Sequence, residues 1–408
     1  MWHNETTTDA PETEPPVFVT DGAPEPTPGW EELGFAPWAE PVFRRLRPAL
    51  PLLGIYAIVR IGLLLADELS AHISYGTHAD GPLTAWDGRW YMTVAAHGYP
   101  ATAGRVGGHL TYGPQVFEPV FPALIRATEF LGFSAVQAAL VVSLVAGAAS
   151  VILVWRLGVA LFGERIGTVG AVLFTVFPGM GVAWGMFYSE AVGLALVAGS
   201  LLLMVRGRWV WAGVLGALAT ATSPMALPLV LAAAVAALQA LRRRQGLGAL
   251  WAVVLVPMGF VGYVLWLGVH YHDVVFWWHL QHQAWGATID FGRSLLSLFV
   301  HPWNGGYQGK GWMEWLGLAA VVVALVTLVR SKIPLLVTAY CLGTFAVMFV
   351  SNSLGFKPRL LAWAFPALIA VAALTYRRGW QAIAVSFAFL LPVVFLAYAS
   401  LGNYMVQP

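Results

Sequence analysis

From residue 49 onward the chain is a succession of apolar runs about 15–23 residues long, separated by short breaks that carry arginine. No other feature constrains the fold so strongly. A run of about 20 apolar residues matches a hydrocarbon core of about 30 Å only as a helix, because backbone polar groups must be satisfied internally in lipid. The runs 49–66, 134–156, 166–181, 188–205, 209–222, 224–241, 248–270, 313–329, 333–350, 359–376 and 380–401 predict about eleven transmembrane helices. The expected fold class is therefore all-α, a polytopic membrane protein. Ser223-Pro224 falls between two of these runs and predicts either a tight hairpin or a broken helix.

Composition agrees with this reading: 59% of residues are hydrophobic and 10% are charged, against about 25% charged in soluble domains. The net charge of +2 comes from charges dispersed at segment ends, so no nucleic-acid partner is expected. Cys341 is alone, which excludes an internal disulfide framework and a cysteine metal cage. Residues 1–43 hold nine of the twenty acids and no Lys or Arg, with many Pro and Thr. They read as a disordered acidic tail. Residues 44–408 read as one integral membrane domain.

The cations orient the spans. If the eleven alternate, fourteen of the twenty-two Lys and Arg fall on one side, from Arg44, Arg45 and Arg47 to Arg377 and Arg378. Seven fall on the other: Arg89, Arg105, Arg126, Arg293, Lys310, Lys357 and Arg359. The richer side is the cytoplasm by the positive-inside rule. The N-terminus is then cytoplasmic, in the plasma membrane, and both long polar loops, 67–133 and 271–312, lie outside. Chemistry outside has no nucleotide sugar or ATP available, so an activated group there must be carried by a lipid.

The first outer loop contains Trp86-Asp87-Gly88-Arg89-Trp90-Tyr91. A helix over 86–97 would put Trp86, Trp90 and Tyr91 on one face, at rest in the membrane interface. Asp87 would sit in the first turn, kept ionised by the helix dipole. A plain helix-capping aspartate is the alternative. A second interfacial helix is expected near 116–131. Glu190 opens a span from the outer side, where carboxylates are costly and usually functional. It could contact substrate, cap its helix or pair with Arg60. Lys357 and Arg359 stand at the outer end of another span, where they could bind a phosphate or anchor lipid head groups. His270-Tyr271-His272-Asp273 and the His279/His282 pair have metal-compatible spacing, but imidazole serves equally as a hydrogen-bond donor. His279 and His282 are read as phosphate or sugar contacts; no metal or other cofactor is expected. The glycine-rich stretch 301–312 could be a lid or a connector; it is not a P-loop.

Several of these blocks resemble, in order, the bacterial relatives of the second mannosyltransferase of glycosylphosphatidylinositol assembly, the PIG-V-like family of the GT-C class. They are Trp86-Asp87-Gly88-Arg89-Trp90-Tyr91 with His97-Gly98-Tyr99, Phe117-Glu118-Pro119-Val120-Phe121-Pro122, Tyr188-Ser189-Glu190-Ala191, Gln283-Ala284-Trp285-Gly286 and Pro358-Arg359-Leu360-Leu361. Two positions depart: Glu118 replaces a usual apolar residue, and Thr222-Ser223-Pro224 stands where members commonly carry Thr-Arg-Pro. The resemblance implies an inverting, polyprenyl-phosphate-sugar-dependent glycosyltransferase, with mannose as the sugar and a glycolipid, glycan or protein hydroxyl as acceptor. Asp87 is the expected base, with Glu118 in reserve. Trp86, Arg89, Trp90, Tyr91, Glu118, Tyr188, Glu190 and Trp285 are the expected substrate contacts; Lys357 and Arg359, with the two histidines, are expected at the donor phosphate. A secondary transporter or flippase, using Arg60 and Glu190, is the rival reading, and a non-catalytic scaffold a third.

Overall fold

A computed structural model of the chain describes residues 47–73, 82–303, 311–381 and 383–387. The acidic tail, the glycine-rich stretch 304–310 and most of the last expected span lie outside the described residues.

The regular structure among the described residues is helical, apart from a short hairpin pairing Arg105–Val106 with His109–Leu110 and an isolated bridge between Ile289 and Ser351. In order the helices are α1 (Leu50–Ile73), α2 (Asp87–His97), α3 (Val120–Glu129), α4 (Ala135–Phe162), α5 (Glu164–Thr175), α6 (Met180–Gly185), α7 (Glu190–Val205), α8 (Trp209–Thr220) and α9 (Pro228–Arg242). There follow α10 (Leu250–Leu255), α11 (Met258–His270), α12 (Phe276–Gln283), α13 (Arg293–Val300), α14 (Gly311–Arg330), α15 (Leu335–Val350), α16 (Pro358–Leu361) and α17 (Pro366–Thr375). The helices expected near 86–97 and 116–131 are present as α2 and α3.

Helix α4 is the spine. Its 28 residues rise about 42 Å. Ser134 and Gln137 cap each other's backbone at its start, which satisfies donors that the helix cannot use. The chain then reverses at Gly163, whose φ of 88° suits a residue without a Cβ. In the hairpin so formed, a Cβ on Gly158 would lie 2.7 Å from Gly167 Cα. Small residues permit this approach, and dispersion between backbones then replaces the hydrophobic drive that lipid removes. Helices α1, α3, α5 and α7 all pack on α4; α8 packs on α7, α9 on α15, and α17 on α5 and α14.

The expected spans meet helices, but their lengths differ. Four described helical stretches are long and apolar enough to cross a membrane: Arg47–Glu68, Ala135–Phe162, Pro224–Arg242 and Leu250–His270. Pro358–Ala364 and Pro366–Gln381, bent by 74°, make a fifth if taken together. Proline, which lacks an N–H and clashes with the preceding turn, interrupts some of the expected runs, while 188–205 and 209–222 contain none and give helices of 16 and 12 residues. The run 166–181 breaks after Thr175, ahead of Pro178, and resumes as α6. Ser223-Pro224 marks a tight turn: Ser223 Oγ accepts from Met225 N–H at 3.3 Å before α9 begins.

Candidate active site

Asp87 is the first residue of α2, and the residue before it carries the local strain. Trp86 has φ 54° and ψ −123°, an unusual backbone for a side chain of that size. This kink aims α2 back toward the segment leading into α7. There Phe187 N–H donates to Leu83 O at 2.8 Å, Tyr91 Oη donates to Ser189 Oγ at 2.8 Å, and Asp87 N–H meets Tyr188 Oη at 3.4 Å. Gly88 lies under this crossing, where a Cβ would stand 3.0 Å from Leu83 O and 3.6 Å from Phe187 O.

Arg359, near the start of α16, joins the two carboxylates. Its Nη1 donates to Asp87 Oδ2 at 3.0 Å. Its Nε is 3.3 Å from Glu190 Oε1, close enough for an ion pair but not aligned as a hydrogen bond. The guanidinium lies 4.8 Å from the centre of the Tyr188 ring, a cation–π geometry. Residues 87, 190 and 359 thus form one cluster, with side chains only 31%, 9% and 14% exposed. Glu190 pairs with Arg359 and not with Arg60, which donates to the Trp184 carbonyl in α6.

Lys357 stands beside this cluster. Burial and the neighbouring Arg359 push its ammonium down to about 8, against the pull of Asp87 and Glu314. Glu314, near the start of α14, accepts from Phe356 N–H at 2.9 Å and so holds the chain that carries Lys357. This carboxylate escaped the sequence reading. A lone acid in the first turn of an apolar span was the available signal.

Beyond Asp87 the aromatics make a wall. Tyr91 is buried, with ring centroids 5.0 Å from Phe117 and 5.3 Å from Phe121. Trp90 stacks on Phe117 and meets Trp285 edge-on, each at 6.2 Å. The sequence predicted that this face of α2 rests in the membrane interface. It is covered instead by protein: α3, the turn before it, and Trp285 from the loop after α12. Trp86 packs against Met186 and Tyr188, while Arg89 is exposed. Glu118 is buried at 1% exposure behind the wall, its Oε1 without a hydrogen-bond partner. Burial pushes its carboxyl well above the usual carboxylate range.

The histidines are elsewhere. His279 Nδ1 is 2.7 Å from Asp273 Oδ2, on the exposed side of α12. Among the described residues no hydrogen bond or ion pair connects His279 or His282 to the Asp87–Arg359–Glu190 cluster. Nor does any group of three or more His, Cys, Asp or Glu side chains among them converge as a metal cage would.

No protein-family model matches this sequence, and no curated protein does. Solved structures do. ArnT from Cupriavidus metallidurans bound to undecaprenyl phosphate superposes with a TM-score of 0.54 over 88% of this chain and 78% of its own, at 16% identity. Its apo form gives 0.50 over 86% and 77%, at 17% identity. The apo oligosaccharyltransferase of Archaeoglobus fulgidus scores 0.45 at 14% identity, over 87% of this chain and 56% of that one. The chain is an integral membrane protein with the all-helical fold of the GT-C class.

Proposed function

We propose that the protein is a membrane glycosyltransferase that moves a sugar from a polyprenyl-phosphate donor to a hydroxyl acceptor on the extracytoplasmic face. ArnT, whose fold it shares, binds undecaprenyl phosphate. Mannose and the PIG-V-like family are the finer reading, supported by the order of the sequence blocks.

The observation that carries the proposal is the convergence of Asp87, Glu190 and Arg359 from three distant parts of the chain. Inverting transfer to a hydroxyl needs a carboxylate to take the proton, through an oxocarbenium-like transition state. It also needs donors that stabilise the departing phosphate. Asp87 is the exposed member of the pair and takes the acceptor proton. Glu190 is the buried member and holds Arg359 in place. An arginine has five N–H donors, so the two carboxylates leave others for phosphate oxygens. Lys357 adds a second cation. The acceptor hydroxyl attacks the anomeric carbon as its bond to the lipid phosphate breaks. The proton goes to Asp87 and the negative charge to the phosphate facing Arg359.

An apolar groove beside the same element supports a path for the lipid. This open groove of about 290 Å³ runs between α14 and α17, lined by Ala320, Val323, Phe345, Leu361, Leu368 and Val371. Leu361 is two residues beyond Arg359, so a chain in this groove would keep its phosphate near the cations.

Asp87→Asn tests the base. It keeps the shape and removes the proton acceptor, a role worth about 10²–10⁴ in rate. Membranes containing the variant at wild-type abundance should transfer radiolabel from polyprenyl-phosphate mannose at least a hundredfold more slowly. Wild-type transfer by the variant would refute the assignment.

A further inference from the structure

A second cavity, of about 550 Å³, lies at the opposite end of the bundle. It touches Met204 and Val205 at the end of α7, whose first residue is Glu190 in the candidate site. Sixteen residues of helix separate the two by about 24 Å. Its polar lining comes from Gln239, Arg243 and Gln245 at the end of α9, and its apolar lining from Met204, Trp209, Ala236, Ala240, Leu335 and Leu336. Arg244 with φ 56° and Gly246 with φ 85° fold the chain back here, and Gln245 N–H bonds Ala240 O at 2.9 Å. That turn sets Arg243 and Gln245 over the opening.

The charge here is one-sided. The turns meeting at the cavity contain Arg206, Arg208, Arg242, Arg243, Arg244, Arg330 and Lys332, and no Asp or Glu between 204 and 249 or between 330 and 336. The apolar wall reaches the surface of the molecule at Leu335, which is 56% exposed. Trp209 is the kind of ring that sits at head-group depth. A cavity with a cation, two amides, an aromatic and an exit to that surface matches an amphiphile with an anionic head. Basic pockets between transmembrane helices bind such heads at the arginine-rich side. A soluble anion would use the arginine and amides but leave the apolar wall unused.

We propose that this cavity is a binding site for an anionic phospholipid, with the phosphodiester at Arg243, Gln239 and Gln245 and an acyl chain leaving past Leu335. The site is independent of the sugar-transfer site and does not rest on that reading.

Native mass spectrometry of the full-length protein in detergent, offered equimolar phosphatidylglycerol and phosphatidylcholine, tests it. Wild type should retain phosphatidylglycerol preferentially. Arg243→Gln should reduce that retention about fivefold, the effect of one cation near an anionic surface. Arg243→Lys should keep most of it, and Arg293→Gln, at the start of α13, should leave it unchanged. Added inorganic phosphate should not displace the lipid. Equal retention of both lipids, wild-type retention by Arg243→Gln, an equal loss in Arg293→Gln, or displacement by free phosphate would each overturn the proposal. Arg243 is exposed, so its replacement leaves the core intact.

Discussion

At the scale of single residues, Arg359 sets the properties of its neighbours. It touches Asp87, lies over Tyr188 and pairs with Glu190, so one guanidinium orders both carboxylates. Lys357 has a different fate, because burial beside that fixed charge weakens its hold on a proton. If it helps to bind the donor phosphate, donor affinity should fall as pH rises through about 8, where the ammonium is lost. Lys357→Arg, which stays charged, should extend activity to higher pH. KM for the donor measured from pH 6.5 to 9.5 checks this; parallel profiles for the two proteins would exclude the role. Glu118 is a second case. Its folded-state pKa lies above the unfolded value, so the folded protein keeps a proton that the unfolded chain releases. Stability is then full below the ordinary carboxylate range and falls as pH rises, by up to about 1.4 kcal/mol per pH unit. Glu118→Gln should flatten that slope in denaturation midpoints between pH 5 and 9. An unchanged slope would mean that Glu118 is not the titrating group.

At the scale of elements, the site depends on how short helices are held. Helix α16 has four residues and carries Arg359, so its position must come from its neighbours. One of these is the start of α6, where a Cβ on Gly179 would overlap the Pro358 carbonyl oxygen. Gly179→Ala should push α16 away and draw Arg359 from Asp87. A displacement of about 1 Å can cost a hundredfold in rate, so transfer should fall tenfold to a hundredfold with expression retained. Full activity would show that α16 shifts without moving its arginine. Helix α2 illustrates how far periodicity carries. Its existence and its start were readable from Trp86-Asp87-Gly88-Arg89, because an acid opening an amphipathic run marks an N-terminus. Its environment was not readable. An aromatic face suits lipid interface and protein core equally, and the contacts from Phe117, Phe121 and Trp285 decide for the core.

At the scale of the whole molecule, the arrangement has two ends. The carboxylate–arginine cluster lies at one and the arginine-rich turns at the other, joined by α7 and α15. The proposed function requires these ends to face opposite sides of the membrane. The only cysteine, Cys341, is fully buried and leaves a silent background for labelling. Arg105→Cys and Arg243→Cys both introduce exposed thiols. A membrane-impermeant maleimide should modify the first in intact cells and the second only after permeabilisation. Modification of both in intact cells, or of the second alone, would refute the sidedness.

The amino-acid sequence by itself determined the helical class, the membrane environment, the existence of α2 and α3 and most residues of the candidate site. Each is written locally: hydrophobic run length, cation bias at segment ends, and polar residues too costly to keep in lipid without a use. The partners of those residues were decided only by the tertiary structure. The sequence offered Arg60 as a cation for Glu190, and the packing supplies Arg359; it offered a phosphate or sugar for His279, and the packing supplies Asp273. Ion pairs are satisfied by whatever packing brings within about 4 Å, and that distance depends on helix breaks at prolines and close contacts at glycines far along the chain.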